Sequence, residues 1–268
     1  MNKEKFGIHG WKMNNKFIIF SAGYNCFDYI EKHIKSIQNQ TYKNYTHIII
    51  DDASTDGTFE KGCKYIDDNT IIYRNNNNIK WIRNALKYLD DHIINEEDII
   101  VIVDLDDWLP HKKVLEIVNN CYNKTDCWMT YSRFIDTMSL RLSTWIPVYT
   151  DDIIKNKLFR QSVWSFTHLR TFKAFLWNEL NAKMILFENN INDLKDNKGE
   201  YFKSCYDQAI LIPMLEMSSP DHISFIPNAL YVYNNSNPLQ VEKINRKEQE
   251  INRDIIRSKN KYKSLIRG

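Results

Sequence analysis

Two runs of this chain, Thr46 to Asp51 (THIIID) and Ile99 to Val103 (IIVIV), are apolar nearly throughout, without the alternation of a half-solvated strand. Strands covered on both faces read this way, as in parallel sheets flanked by helices. The neighbouring stretches keep the same order. Phe17 to Ser21 (FIIFS) reads as a short buried strand that Ala22-Gly23 breaks. The spacing of Ile30, Ile34 and Ile37 then predicts a helix that Asp28 caps and that ends near Gln40-Thr41. A short strand at Ile71-Ile72-Tyr73 and an amphipathic helix over Trp81 to Leu89 follow. This βαβαβ order predicts an α/β, doubly wound, largely parallel sheet with ligands bound beyond the carboxyl ends of its strands.

After Pro110 the pattern continues with a helix carrying Val114, Leu115, Ile117 and Val118, and a strand at Trp128 to Tyr131. The alternation then becomes irregular. A helix is expected from about Leu169 to Leu180, a polar loop from Asn189 to Glu200, and a helix from about Gln208 to Met217. Two short strands are expected near Ile223 to Ile226 and Leu230 to Tyr233. With 268 residues, 43% of them hydrophobic, the chain suffices for one substantial core. The expected organisation is one domain over 1–240, divided into halves at 16–115 and 116–240, and a mostly helical tail over 241–268.

Five scattered cysteines, with no CxxC pair, read as reduced thiols of a cytosolic protein. The polar N-terminus lacks a signal peptide's apolar stretch, and no run approaches the roughly 20 apolar residues that cross a bilayer, so a soluble, cytoplasmic protein is expected. A net charge of +2 gives no indication of nucleic-acid binding. It is unevenly distributed: nine Lys and Arg against four Asp and Glu leave Val241 to Gly268 at +5, and the body at −3. The tail is therefore a solvated helix, or a contact for an anionic membrane surface, an acidic partner or a second subunit of a homodimer.

Both long apolar runs end in clustered acids: HIIIDDASTDGT at 47–58 and IIVIVDLDDWL at 99–109. Carboxylates gathered where a buried strand emerges repel one another unless a cation, donor groups or solvent compensates, which suits a hard ion such as Mn²⁺ or Mg²⁺. Asp104 and Asp106 project on the same side of an extended segment, while Asp107 points elsewhere. Each cluster also has an ordinary reading. Asp107 is a potential helix cap, and Ser54-Thr55-Asp56-Gly57 is common turn chemistry. Two such clusters on one sheet edge favour the metal reading.

Read in order, these segments resemble the inverting, non-processive family 2 glycosyltransferases. The resemblance rests on Tyr24-Asn25, on Ser36-Ile37-Gln38-Asn39-Gln40-Thr41-Tyr42, and on Asp51-Asp52-Ala53-Ser54-Thr55-Asp56-Gly57-Thr58. It continues through Arg83-Asn84, with Ile82 where the family has Ala, to Asp104-Leu105-Asp106-Asp107, and covers roughly residues 16–115. It implies a GT-A fold: a Rossmann-like, mostly parallel sheet with helices on both faces and a smaller mixed region on the acceptor side. It further implies a nucleotide-sugar donor, a UDP-sugar by preference, and a carbohydrate or glycosylated acceptor. Carried over by residue, Ala22 and Tyr24 border the base, Asp52 holds the uracil edge and Arg83 lies near the nucleotide. Asp104 and the adjoining Leu105 meet the donor, and Asp106, with Asp104, holds the metal.

An inverting transfer needs a base for the acceptor hydroxyl. Asp207 resembles the family's late acidic residue at a helix start, with a helix cap as its ordinary alternative. Thr167 to Phe172 and Leu230 to Pro238 resemble segments of bacterial and viral sugar transferases, which makes His168 and Arg170 candidates for the phosphates or the acceptor. Trp164, like Trp128 and Trp145, is a candidate sugar platform, against the usual core role of tryptophan. The QxxRW segment of processive synthases is absent, and so is the family's more usual Glu-Asp pair. A nucleotidyltransferase, or a sugar-nucleotide-binding protein without turnover, are the competing readings.

Overall fold

The structure, a computed structural model, describes residues 14–90, 94–186, 194–239 and 245–267. Strands β1 (Phe17–Gly23), β2 (Tyr45–Asp51), β3 (Thr70–Arg74) and β4 (Ile99–Ile102) run parallel in the order β3-β2-β1-β4. The nearly unbroken apolar character of β1, β2 and β4 has the expected cause. Ile18, Phe20, Ile48, Ile50, Ile100 and Ile102 enter one core cluster, whereas Phe17, Ile19, Ile99 and Val101 enter a second and Ile49 a third. Helices α1 (Ile30–Gln38), α2 (Thr58–Gly62) and α3 (Trp81–Asp90) connect these strands. Asp28 does not cap α1. The capping position is Tyr29, with no side-chain cap bond, and the helix enters through Ile30 N donating to Cys26 O.

The second half extends the same sheet. Helix α4 (Val114–Lys124) leads to β5 (Met129–Asp136), and after α5 (Asp151–Lys155) comes β6 (Arg170–Lys173), antiparallel to both β4 and β5. Strand β7 (Ile223–Tyr233) runs parallel to β5 at the edge, completing the order β3-β2-β1-β4-β6-β5-β7. The helix expected from Leu169 therefore begins later: α6 (Ala174–Leu186) starts only after Arg170–Lys173 has paired with β4. Phe172 is buried, and Thr171 Oγ1 sits within bonding distance of Tyr122 Oη and Thr130 Oγ1, so sheet contacts override the local helical pattern. The two short strands expected near the end are one strand whose register shifts opposite Ser132 to Phe134. Pro227, lacking an N–H, falls where that ladder slips.

Helices α7 (Tyr206–Ser218) and α8 (Arg246–Ser258) complete the described elements. The expected polar loop over 189–200 lies partly outside the described residues. Segment 246–267 packs onto the domain. Arg160, buried, makes a two-pronged ion pair with buried Glu216 of α7 (2.8 and 2.9 Å) and donates to Ile256 O of α8 at 2.6 Å. Glu216 also accepts from Tyr262 N, and Leu265 N donates to Met217 O. All five cysteines are free. Among the described residues no helix is long and apolar enough to cross a membrane.

Candidate active site

Parallel strands deliver their carboxyl ends to one edge of a sheet, and here β1, β2 and β4 open onto a cleft of ≈ 650 Å³. On its floor lies the acidic segment after β4. Tyr206 Oη donates to half-buried Asp104 at 2.6 Å, and Asn237 Nδ2 donates to Asp106 at 2.7 Å. Asp107 is buried and accepts from Tyr231 Oη and Asn234 N, both at 2.6 Å. It is thus not the cap of α4, whose capping position is Lys113. From beneath, buried His33 Nδ1 donates to Asp107 O at 2.7 Å, and its Nε2 meets Ser21 Oγ, which also meets His47 Nε2.

Burial drives the carboxyl groups toward their neutral forms. It pushes Asp104 up to about 6, with the Tyr206 hydroxyl and Arg170 opposing and Asp106 and Asp207 reinforcing. Burial also raises Asp106, and it lifts Asp107 well above the usual carboxylate range, aided by the charges of Asp106 and Asp104. A divalent cation is the natural compensation. The donor set fits one: Asp104, Asp107 and His168 each offer a ligand atom, all within 4.8 Å of one another. His168 Nδ1 is buried without a hydrogen-bond partner, and the ring is stacked on Tyr231 at 4.4 Å. Asp106, expected as the principal ligand, lies outside this group of three.

On another side of the acids, buried Arg170 donates to Asp207 at 3.0 Å. Asp207 sits in the first turn of α7, but the capping position is Cys205, with φ of 56° and no side-chain cap bond. The carboxylate is therefore not used as a cap. Across the cleft, Asp52 accepts from Asn75 Nδ2 and from the backbone N–H groups of Ile79 and Lys80, each at 2.9 Å, and so shapes the turn into α3. Trp81, at the start of α3, stacks on Tyr206 with ring centroids 4.4 Å apart. Three atoms of this wall are buried without a partner: Asn78 Oδ1, Trp81 Nε1 and Asn84 Nδ2. Unpaired buried donors and acceptors are costly, and in a cleft they mark positions that a ligand completes. The orientation of Asn84 is fixed, because its Oδ1 accepts from Asn75.

Of the residues expected at a site, the cleft gathers Ala22, Tyr24, Asp52, Asp104, Asp106, His168, Arg170 and Asp207. Arg83 stands outside the lining, half-exposed, 3.6 Å from Glu200 and over the Tyr201 ring. Leu105 is buried among Cys26, Ile30, Ile34 and Ile49, and its Cβ would lie 2.5 Å from a Cβ on Gly23, which accounts for the glycine there. Trp164 packs against Phe166 away from the cleft, Trp128 is buried against His222, and Trp145 is exposed. Sequence reasoning missed Trp81, Asn84, Tyr206, Tyr231 and Asn237, and also Asn245, Glu248 and Gln249 of the tail, which line the rim. Tyr206 had a usable signal, adjacency to Asp207. Tyr231 and Asn237 lie in the Leu230 to Pro238 segment that resembles sugar transferases, but their reach to the acids depends on the placement of β7 and the turn after it.

A family model described as Glycosyl transferase family 2 matches residues 19–177. A protein of Escherichia coli, described as UDP-Glc:alpha-D-GlcNAc-diphosphoundecaprenol beta-1,3-glucosyltransferase WfaP, is 45% identical over 58 residues, 22% of this chain and 23% of that protein. Residues 1–349 of S. aureus TarS share the fold with a TM-score of 0.59 at 17% identity, over 82% of this chain and 60% of that one. The same TarS region in complex with UDP-GlcNAc gives a TM-score of 0.55 at 18% identity, covering 82% and 58%. The mannosyltransferase PcManGT of Pyrobaculum calidifontis, in complex with GDP-Man and Mn²⁺, gives 0.53 at 16% identity, covering 81% and 56%. The chain thus matches under a quarter of the curated relative and spans about three fifths of these structures. The sheet order and the likeness to these transferases are those of a GT-A fold.

Proposed function

The chain belongs to glycosyl transferase family 2, and on that footing we propose that it moves a sugar from a UDP-sugar to a hydroxyl of a carbohydrate acceptor, with inversion. The observation that carries this reading is the convergence in one cleft of an acidic cluster with His168 on one side and the Arg170–Asp207 pair on the other. Asp104, with Asp107 and His168 or with Asp106, would hold a Mn²⁺ or Mg²⁺ ion, which when bound would supply Lewis-acid stabilisation to a diphosphate leaving group. Asp207 takes the proton of the acceptor hydroxyl, and the Arg170 guanidinium orients its carboxylate.

Uridine as the nucleoside is supported by the unpartnered atoms of the cleft wall. Trp81 Nε1–H and Asn84 Nδ2–H are donors and Asn78 Oδ1 is an acceptor, which complements the two carbonyls and one N–H of a uracil edge. A guanine edge, with one acceptor and two donors, would need the opposite count. TarS binding UDP-GlcNAc is in keeping with this. For the acceptor we take the class named for the Escherichia coli relative, a sugar on a diphospholipid.

The test is a donor screen with the purified chain, Mn²⁺ and UDP-, GDP- and dTDP-sugars, following nucleotide release, with Asp104→Ala and Asp207→Asn in parallel. Metal-dependent release from one UDP-sugar, lost in both variants, is expected. Binding without release under any acceptor mixture would favour a non-catalytic sugar-nucleotide-binding protein, and absence of nucleotide binding would overturn the assignment.

A further inference from the structure

An exposed apolar feature outside the cleft is the loop that follows β5. Within eight positions it presents Met138, Leu140, Leu142 and Trp145 at 67%, 80%, 36% and 56% exposure. Single exposed apolar residues are ordinary, but four on one short loop form a patch that marks a contact surface.

Its backbone argues for which contact. Leu140 N donates to Asp136 O, Asp136 N to Arg141 O, Ser143 N to Phe134 O and Thr144 N to Leu142 O. Met138 N and Ser139 N both donate to Asp136 Oδ1, and the Arg133 guanidinium donates to the carbonyls of Ser143 and Ile146. The loop thus ties several of its backbone groups internally while leaving its apolar side chains exposed. The surface it offers outward is apolar, which a lipid interface covers without new hydrogen bonds. Over residues 137–147 the only charged side chain is Arg141, exposed between Leu140 and Leu142. A lone cation beside a tryptophan among aliphatic residues matches an interface of anionic headgroups over acyl chains.

The loop also adjoins the cleft. Trp145 packs edge-on against Phe134, which packs edge-on against His168, with centroids 6.0 and 5.9 Å apart. Asp136 at its root accepts from Asn235, two residues from the Asn237 that holds Asp106.

We propose that the 137–146 loop is a membrane-surface anchor, with Leu140 and Trp145 entering the headgroup region of an anionic bilayer and Arg141 pairing with lipid phosphates. It deepens the acceptor reading given above and rests on it for its purpose: a transferase acting on a diphospholipid-linked sugar gains by holding its cleft at the bilayer where that sugar stands.

The test is flotation of the full chain with vesicles of equal parts phosphatidylglycerol and phosphatidylcholine, and with phosphatidylcholine alone. The variants are Leu140→Asp with Trp145→Ser, Arg141→Glu, and, for the tail, Lys259→Glu with Lys261→Glu and Lys263→Glu. Binding to the anionic vesicles is expected to fall about tenfold or more in the loop double variant and to weaken in Arg141→Glu. UDP binding, followed calorimetrically, is expected to be unchanged in both, which shows that they are folded. Failure of the wild type to float, equal flotation of the loop variants, or loss confined to the tail variant would overturn the anchor. So would a loop variant that turned a dimer into a monomer without changing flotation, since a second copy would then be the occupant. Because UDP binding is read separately, failure of the anchor and failure of the transferase reading are distinguishable.

Discussion

Trp81 is held in the cleft by two opposed demands: its ring is stacked on Tyr206, and its Nε1–H is buried without a partner. If the nucleobase supplies that partner, Trp81→Phe keeps the stack and loses one hydrogen bond. The expected result is a rise of about tenfold in donor KM, from roughly 1.4 kcal/mol of lost binding, with kcat little changed. Steady-state kinetics with saturating acceptor checks it. Below the acids, His47 is buried against Ser21 and His33, and burial, with the neighbouring His33, holds its pKa well below the usual 6.5. A buried neutral histidine binds fewer protons than the unfolded chain, so its contribution is complete above about pH 6.5 and is lost as the pH falls below it. Urea midpoints measured from about pH 7.5 to 5 should therefore decline less steeply in His47→Gln than in the wild type. The clustered acids were legible in the sequence because each cluster is contiguous and follows a buried strand. Trp81 was not, because its significance lies in a stack on Tyr206, 125 positions away, which no local spacing encodes.

At the level of elements, the parallel half could be read almost strand by strand, since β1, β2 and β4 are buried on both faces and α1 carries a single apolar stripe. The region from Leu169 to Lys173 could not. Its residues suit the start of a helix, and only the open edges of β4 and β5 turn them into a strand. That strand brings Arg170 to Asp207, so the misread element is the one that joins the two halves of the site. Helix α8 shows the same limit in a different form. Its basic character suggested a solvated tail, yet Arg160 and Glu216 fasten its end within the domain and its first turns reach the cleft rim. Glu216→Ala leaves the Arg160 charge buried and unpaired, and should cost roughly 3–5 kcal/mol, whereas Arg160→Met combined with Glu216→Leu should be much less damaging. Equilibrium unfolding in urea distinguishes them. A surface pair would show little difference between the two substitutions.

Across the whole molecule, one sheet carries two kinds of responsibility, and the seam between them is the pairing of β4 with β6. The parallel strands β3, β2, β1 and β4 present Asp52 and the acids, while β6 and the helices beyond it present His168, Arg170 and Asp207. A UDP-sugar bound as proposed touches both sides, so it should stabilise the molecule as a unit rather than either half alone. At a hundredfold excess over Kd, binding is worth about 2.7 kcal/mol, which for a chain of this size corresponds to a rise in Tm of roughly 5–10 °C. The expected outcome is a shift of this order with UDP and Mn²⁺ together, and a much smaller one in Asp104→Ala, where the ion loses a ligand common to both candidate sets. Hydrogen exchange localises the effect: protection should increase in 75–84 and in 203–209 at once. Protection confined to the first segment would mean that the nucleotide sits on the parallel half alone and that the Trp81–Tyr206 stack is a packing contact. In that case Asp207 would have to reach its substrate across a cleft that donor binding does not close, and its assignment as the base would lose its geometric support.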